Sequence, residues 1–469
     1  MSMKRNGSVR AAVAALLATA MPGVASAETL QEALASAYLT NPELTAQRAA
    51  QRAVDESVAQ ANAAFRPTLG TQADFNQDFI EPGQFDDDGR QFTAGVRLNQ
   101  PVYAGGRNIA TARGADQRVL AGRQDLRTTE NRVLLSAVTA YNDVLRDQAL
   151  VELNNNQVKV LEEQLRASRD RFEVGDVTRT DVAQSEARLA NARSELIAAQ
   201  GRLTASREAY RRIVGRAPAN LEPPPALPTL PGTVEQAVDI AAAENPQLLA
   251  ARFQEAAARY DVRVQQAGRL PTLGASTQVG YQNISLGSSN ANSGFNITDF
   301  SQSVGATLTV PFYQGGAVSS RIREAQARRS QAMENIALAE RQVTESVRNA
   351  WEQIQTARAT IQAADVAVRA NELAVEGTRQ ENLVGSRNIL DVLNAQQELL
   401  QAQTNLVTAR RDEYVAGYTL LSALGRVEAA PLQLPVETYD PAVYYRSVRG
   451  KWGGTDAALP KAGVTSSSN

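Results

Sequence analysis

The amino-acid sequence carries the same ordered set of short motifs twice, and this repeat constrains the fold more than any other feature. Asn41-Pro42 and Pro67-Thr68-Leu69-Gly70 recur 204 positions later as Asn245-Pro246 and Pro271-Thr272-Leu273-Gly274. Further matches recur after 210 positions, and their first members are Pro101, Tyr103, Gly105-Gly106, Gly175, Asp181-Val182 and Gly215. We therefore predict an internal twofold structural repeat, with copies at 28–222 and 233–426 joined by a proline-rich linker at 223–232.

A long helix is predicted in each copy. From Val318 to Leu383 the second copy contains no proline and a single glycine, Gly377. Eight apolar residues in this stretch alternate spacings of four and three, as in a helix that packs side by side with another helix. They are Val343, Val347, Ala350, Ile354, Ala357, Ile361, Ala364 and Val368. A helix of roughly 66 residues would be about 100 Å long, so it requires long partner helices.

The other elements are predicted in the same order in both copies. Each copy begins with a helix that is interrupted at the Asn-Pro pair and ends before Pro67 or Pro271. The first copy then has strands near 67–80 and 91–103, a long helix at 107–172 and a helix at 181–214. The second copy has strands near 271–283 and 300–313, a long helix at 318–383 and a helix at 389–424. Residues 427–469 are predicted to form a C-terminal tail that is partly flexible.

All four strand segments alternate apolar and polar residues. In the first copy the apolar positions are Leu69, Ala73, Phe75, Phe79, Phe92, Ala94, Val96 and Leu98. Segments of about 10 to 13 residues are long enough for a tilted strand to cross a bilayer. A hairpin on a soluble core would explain any one segment. Four such segments in an exported chain favour a membrane location.

The number of strands then predicts an oligomer. The smallest barrels need about eight strands, and an open sheet edge in lipid costs several kcal/mol for each unpaired backbone group. A trimer would supply twelve strands and a matching twelve-helix bundle around a central hollow. The predicted fold class is an α+β membrane protein in which a trimeric β-barrel, with four strands per chain, is continued by a long α-helical barrel.

The first residues predict export. Lys4, Arg5 and Arg10 precede an apolar run at 11–20, and Ala25-Ser26-Ala27 has the small-residue pattern recognised by signal peptidase. Residues 1–27 are therefore predicted to be a signal peptide. A membrane anchor is the alternative, but about ten apolar residues are too few to cross a hydrocarbon layer of roughly 30 Å.

Composition excludes several kinds of chemistry. The chain contains no His and no Cys, which rules out an imidazole base, a thiolate nucleophile, the usual zinc sites and a lipid-modified cysteine. Without the three signal-peptide cations the net charge of -2 becomes about -5, too mild to indicate a nucleic-acid partner. A carboxylate hydrolase or a Ser-Lys pair remains formally possible, although no spacing supports either. We expect no cofactor and no enzymatic activity.

Together these motifs resemble those of the TolC-like outer membrane factors of Gram-negative bacteria. The resemblance spans Thr29 to Gly425 and rests on the repeat, the Asn-Pro pairs, the motifs at 100–106 and 310–316, and the turn at 384–395. It implies a homotrimer with a β-barrel in the outer membrane, a long α-helical tunnel across the periplasm and a small mixed domain around the middle of the helices. The linker and the region after Arg426 would contribute to that domain.

The resemblance also implies a function and partners. The chain would be the exit duct of a tripartite export system, passing drugs, secreted proteins (as in type I secretion) or both to the exterior. The implied partners are outer membrane lipid, a periplasmic adaptor (membrane fusion) protein and an inner-membrane pump of the RND or ABC type. The pump would supply the energy, because the chain has no Gly-x-x-x-x-Gly-Lys phosphate loop.

The functional residues implied by the resemblance lie at the two turns that follow the long helices. Gly175 and Gly385 would reverse the chain with positive φ. In the family these turns close the periplasmic mouth, through contacts between the two copies and between neighbouring chains, and receive the hairpin of the adaptor. Thr180 and Asp181 match the first-copy side of this closure, and Arg387 matches the arginine that bonds to it.

Three further positions of the second turn bear on how tightly the mouth closes. Asp391 matches an acidic ring inside the tunnel, whereas Asn394 replaces a second acidic ring and Asn382 replaces an aromatic residue of the best-known member. We therefore expect a looser gate with a single ring of three carboxylates. The simpler interpretation of Arg387 and Asp391 is an exposed i,i+4 ion pair, worth a few tenths of a kcal/mol.

A different class of protein is also consistent with the pattern of long helices. In this alternative the chain is a structural coiled-coil surface protein, without channel activity, whose strands form a soluble domain. Trimers that conduct ions after extraction in detergent favour the duct, and monomers that stay soluble without detergent favour the alternative. A carboxylate hydrolase would require an activity that is lost on replacing Asp391 or Asp181 by Ala.

Overall fold

The computed structural model describes residues 28–78, 89–286 and 295–456. The predicted signal peptide at 1–27, Phe79 and the last residues of the predicted tail, 457–469, lie outside this part of the chain. The first half contains helices α1 Leu30–Thr40 and α2 Pro42–Ala63, strands β1 Thr68–Asp78 and β2 Gly89–Ala104, and helices α3 Arg107–Glu173 and α4 Arg179–Val214. The second half contains α5 Val234–Glu244, α6 Pro246–Gln266, β3 Thr272–Leu286, β4 Phe295–Thr309, α7 Ala317–Leu383, α8 Ile389–Ala423 and α9 Pro441–Val448.

The Asn-Pro pairs form the boundaries between the short helices. The Asn41 side chain accepts a hydrogen bond from the Glu43 N–H at 2.9 Å and so caps α2, in which proline occupies the first turn. The Asn41 amide also donates to the Ile213 carbonyl at the end of α4, at 3.0 Å. Asn245 caps α6 in the same way and donates to the Ala423 carbonyl near the end of α8 at 2.8 Å. Each Asn therefore ties the start of one helix to the end of another.

The long helices α3 and α7 each contain 67 residues and would measure about 100 Å. Helix α3 packs against α4 and α6, and α7 packs against α8 and α6. Six of the eight residues of the predicted α7 seam are buried, and Ile361 and Val368 are half-buried. Among the described helices none is long and apolar enough to cross a membrane.

The four strands form one antiparallel sheet in the order β1-β2-β3-β4. The pairing of β2 with β3 joins the first half of the chain to the second. Strand β4 ends at Thr309, although the sequence predicted a strand to 313, because its partner β3 begins at Thr272, which pairs with Thr309. Strands β3 and β4 extend further at their other ends than predicted, to Leu286 and Phe295, which pair with each other.

The register of the sheet places the apolar positions of all four strands on one face. Phe75 pairs with Phe92, and Leu273 pairs with Leu308. This face is not covered by the rest of the chain, and Val304 is 88% exposed. The outer edges of β1 and β4 have no partner strand among the described residues. The sheet is therefore open at both sides and apolar on one face.

The main hydrophobic core surrounds the middle of the long helices. It combines α1, α5 and parts of α3, α4, α7 and α8 with the linker and the first part of the tail. Tyr141 is fully buried there, and its hydroxyl donates to the carbonyls of Glu28 and Glu222 at 2.8 and 2.7 Å. Val427 and Leu434 of the tail are buried in the same core. The tail then continues into α9, which packs against α2.

Candidate functional site

The first turn links α3 to α4 at the end of the helices away from the sheet. Gly175 has φ of +83° and closes the turn by donating its N–H to the Phe172 carbonyl at 3.0 Å. Thr178 caps α4 through a capping box with Asp181, whose carboxylate accepts from the Thr178 N–H and hydroxyl, both at 2.8 Å. Asp181 is therefore engaged by its own helix start, whereas Thr180 is exposed.

The second turn links α7 to α8 and is capped differently. Gly385 has φ of +78°, and Asn388 caps α8 by accepting from the Leu390 N–H at 3.3 Å. Asp391 occupies the position that corresponds to Asp181, but its carboxylate makes no capping bond among the described residues. Its negative charge is consequently available for other interactions.

Arg387 lies between two carboxylates of the second turn. Its guanidinium donates to Glu381 at 2.8 Å and lies 3.7 Å from Asp391. All three side chains are about half exposed. In the described part of the chain, Arg387 forms no hydrogen bond or ion pair with Thr180 or Asp181. Within a single chain, Arg387 thus has the local i,i+4 contact of the simpler interpretation, together with a bond to Glu381.

The two turns lie side by side and contact each other through polar side chains. Arg171 at the end of α3 donates to Asn382 at 3.4 Å, and Arg188 of α4 donates to Asn394 of α8 at 2.8 Å. Asn382 also donates to the Arg387 carbonyl at 2.9 Å. Asn394 and Asn382 are therefore the residues through which the two turns are hydrogen-bonded.

A small apolar cluster lies beneath these contacts. Ile389 and Leu393 of α8 pack with five buried residues of α3 and α4, namely Val158, Leu161, Leu165, Leu189 and Ala192. A groove with a volume of about 750 Å³ runs between the turns, and its lining includes Arg171, Asp176, Asp181, Asn382 and Arg387. The groove is polar and charged at an exposed end of the molecule, so it is suited to closing against another helical hairpin rather than to holding a small apolar ligand.

Sequence reasoning missed three residues of this site. Arg171, Arg188 and Glu381 were not singled out, although all three contact a residue that was. Arg188 follows Asp181 by seven residues and lies on the same helix face. This spacing could have identified Arg188 from the sequence.

Within the described residues, no carboxylates are grouped so as to hold a metal ion.

Comparisons with known proteins show which family has this architecture. The family model for outer membrane efflux proteins matches residues 30–216 and 237–426. Outer membrane efflux protein BepC of Brucella suis biovar 1 (strain 1330) is 34% identical over 445 residues, covering 95% of this chain and 96% of BepC. Outer membrane protein TolC of Vibrio cholerae is 28% identical over 409 residues, covering 85% of this chain and 91% of TolC.

A solved structure has a similar fold. The crystal structure of the outer membrane protein VceC from Vibrio cholerae matches with a TM-score of 0.72 at 22% identity, covering 84% of this chain and 96% of VceC. The long helices and the four-stranded sheet are thus a known architecture. On the family match and the similarity to BepC, the chain belongs to the outer membrane efflux protein family and is an export channel of the outer membrane that extends into the periplasm.

Proposed function

We propose that three copies of this chain form the exit duct of a tripartite export system. The observation that carries the proposal is the open four-stranded sheet, with one exposed apolar face and two unpaired edges, continued by helices of 67 residues. In lipid each unpaired backbone group of an edge costs several kcal/mol, so β1 of one chain must pair with β4 of another. Three chains give the twelve strands that a hollow barrel needs.

The two halves of the chain act in this proposal as copies of one unit. The copies are 28–222 and 233–426, and the linker at 223–232 joins them beside the core at the middle of the helices. Similar capping by Asn41 and Asn245 supports the equivalence, as do the two helices of 67 residues. Around the threefold axis, each chain then contributes two similar helical hairpins to the periplasmic barrel.

The two turns form the gate of the duct in this proposal. Gly175 and Gly385 reverse the chain, and the bonds of Arg188 to Asn394 and of Arg171 to Asn382 hold the turns together. Arg387 would reach Thr180 or Asp181 of a neighbouring copy when the mouth is closed. Asp391, free of capping, would project a ring of three carboxylates toward the tunnel.

The gate role is tested by single-channel conductance in planar bilayers. We expect Arg387→Ser to raise conductance, because it removes the cation that would bond to Thr180 or Asp181 of a neighbouring copy in the closed mouth. Arg328→Ser is the matched control, because Arg328 forms a comparable exposed i,i+4 pair with Glu324 near the other end of α7. Equal conductance of the wild type and the Arg387→Ser variant would contradict a role for Arg387 in the gate.

The partners in this proposal are a periplasmic adaptor that docks its hairpin at the turns and an inner-membrane pump of the RND or ABC type. The exposed groove between the turns supports adaptor docking. A photo-crosslinking residue at Ser386, which is exposed in the second turn, should capture the adaptor in cells. Drugs, secreted proteins or both would be the cargo, and the pump captured with the adaptor would distinguish them.

A further inference from the structure

The C-terminal tail follows a defined path along the outside of the helices. Beyond the core, α9 lies over α2 and α3. The Tyr444 hydroxyl donates to Glu56 of α2 and the Tyr445 hydroxyl donates to Asp116 of α3, both at 2.7 Å. The Arg123 guanidinium lies 5.1 Å from the centre of the Tyr445 ring. These contacts fix the direction in which the tail leaves the core.

The described part of the tail reaches the junction between the helices and the sheet. Asn62, in the last turn of α2, donates to the Arg449 carbonyl at 3.2 Å. Arg66 donates to the Lys451 carbonyl at 2.5 Å, and its guanidinium lies 4.7 Å from the centre of the Trp452 ring. Arg66 precedes the first residue of β1, Thr68, by two positions. Trp452 is therefore held at the level where the strands begin.

The chemistry of this segment is amphipathic. Trp452 is 75% exposed although a cation–π contact fixes its position. Among the described residues, Arg66, Arg449 and Lys451 form no ion pair with a carboxylate. Other large apolar side chains at the helix-facing end of the sheet are also exposed, namely Phe65, Val102, Tyr103, Leu270, Phe312 and Tyr313. An exposed Trp near cations that have no carboxylate partner is typical of a protein surface that contacts a phospholipid interface.

We propose that residues 449–452 and Arg66 form a phospholipid anchor at the periplasmic surface of the outer membrane. The Trp452 ring would lie among the glycerol and headgroup atoms, and Arg66, Arg449 and Lys451 would hold phosphate groups. The site lies at Arg66, two residues before β1, and its charge is complementary to anionic phospholipid. Both points favour a lipid surface over a protein partner. The anchor goes beyond the duct itself, since it fixes the height of the channel in the membrane and gives the tail a role.

The two tryptophans of the chain supply a matched test. Trp351 lies on α7, about 50 Å along the helix from Ala317 at 1.5 Å per residue, and is half-buried beside the core. Trp351→Phe leaves only Trp452, and Trp452→Phe leaves only Trp351. The full chain of each variant is reconstituted into vesicles of phosphatidylcholine and phosphatidylglycerol, with and without bromine on the acyl chains near the headgroup.

We expect brominated lipid to quench the fluorescence of Trp452 and to leave that of Trp351 unchanged. If Trp351→Phe does not fold, the difference between the wild type and Trp452→Phe isolates the same signal. Lys451→Ala should reduce the additional quenching seen when phosphatidylglycerol is raised, whereas Lys159→Ala, on α3 far from the sheet, should not. Equal quenching of the two tryptophans would overturn the anchor, while conductance of the same vesicles would report separately on the duct.

Discussion

Arg188 of α4 donates a hydrogen bond to Asn394 of α8 at 2.8 Å, and this bond joins the two helical turns within one chain. An exposed hydrogen bond of this kind contributes about 0.5–1.5 kcal/mol. That energy corresponds to roughly a two- to tenfold change in an equilibrium. Arg188→Ala should therefore shift the gate toward open and raise the time-averaged conductance in planar bilayers.

Arg193 supplies the control for this prediction. It is on the same helix as Arg188 and is more exposed, and its partner Glu162 lies on α3 of the same hairpin, at 2.6 Å. Arg193→Ala removes a surface ion pair without loosening the contact between the turns. If both variants open the channel equally, the α4 to α8 bond has no special role in the gate.

Asp391 and Asp181 occupy corresponding positions but differ in what their carboxylates contact. Asp181 accepts two bonds from Thr178 and completes a capping box, whereas Asp391 makes no such bond in the described structure. Asp391→Asn should reduce the preference for cations, measured as the reversal potential across a salt gradient. Asp181→Asn should chiefly weaken the helix cap, by about 0.5–2 kcal/mol, with a smaller change in that potential. A larger effect at Asp181 would contradict the assignment of the acidic ring.

Tyr141 holds two separate segments of the chain at the central core. Its hydroxyl donates to the Glu28 and Glu222 carbonyls, and the side chain is fully buried. Tyr141→Phe should lower the free energy of unfolding by about 0.5–1.5 kcal/mol, because the hydrogen bond of the hydroxyl is lost. Arg328→Ala, which removes an exposed i,i+4 pair, should cost no more than about 0.5 kcal/mol. Denaturant unfolding in detergent, followed by circular dichroism, would compare the two variants.

The docking of the tail should depend on pH through Glu130. This carboxylate accepts the Ala429 N–H at 2.7 Å, and burial raises its pKa above the ordinary value of 4.5. The folded state therefore holds the proton more tightly than the unfolded chain. The stabilisation is complete below pH 4.5 and is lost as pH rises through the raised pKa. Glu130→Gln keeps an acceptor for Ala429 and should remove this part of the pH dependence.

Glu244 provides a control, because its pKa is shifted in the opposite direction. Two hydrogen bonds from Arg426, at 2.7 and 2.8 Å, lower the pKa of Glu244, so its contribution is present at neutral pH and is lost on acidification. Thermal unfolding in detergent between about pH 2 and pH 8 would compare Glu130→Gln and Glu244→Gln with the wild type, because the contribution of Glu244 is lost only below its ordinary pKa of 4.5. If Glu130→Gln follows the same pH profile as the wild type, the carboxylate does not govern tail docking.

Local patterns were enough to predict the long helices and the four strands, but not α9 in the tail. The spacing of Val343, Val347 and Ala350 identified the buried face of α7 because a helix repeats its face every three to four residues. Alternation identified the strands because successive side chains point to opposite faces, and the pairing of Phe75 with Phe92 has the expected register. The strand limits were less accurate in β4, which ends at Thr309 because its partner strand begins at Thr272.

Contacts between distant, exposed polar residues could not be predicted in this way. Arg188 and Asn394 are 206 residues apart, and no periodicity connects them. The path of the tail could not be predicted from the sequence either, because it depends on contacts between distant residues. For example, the Tyr439 N–H donates to the hydroxyl of Tyr38, 401 residues away. The tail was expected to be flexible beyond about Gly453, and the residues before that point, up to Trp452, have defined partners on α2 and just before β1.

Crosslinking between chains tests most directly whether β1 of one copy pairs with β4 of the next. Because the natural chain has no cysteine, Ala73→Cys in β1 can be combined with a single cysteine at successive positions of β4 around Ala306. After oxidation in the membrane, our account predicts disulfide-linked species of two and three chains and none larger at the β4 position that lies opposite Ala73. A chain that remains a monomer at every position, or that extends into ladders beyond three, would contradict a closed trimeric barrel.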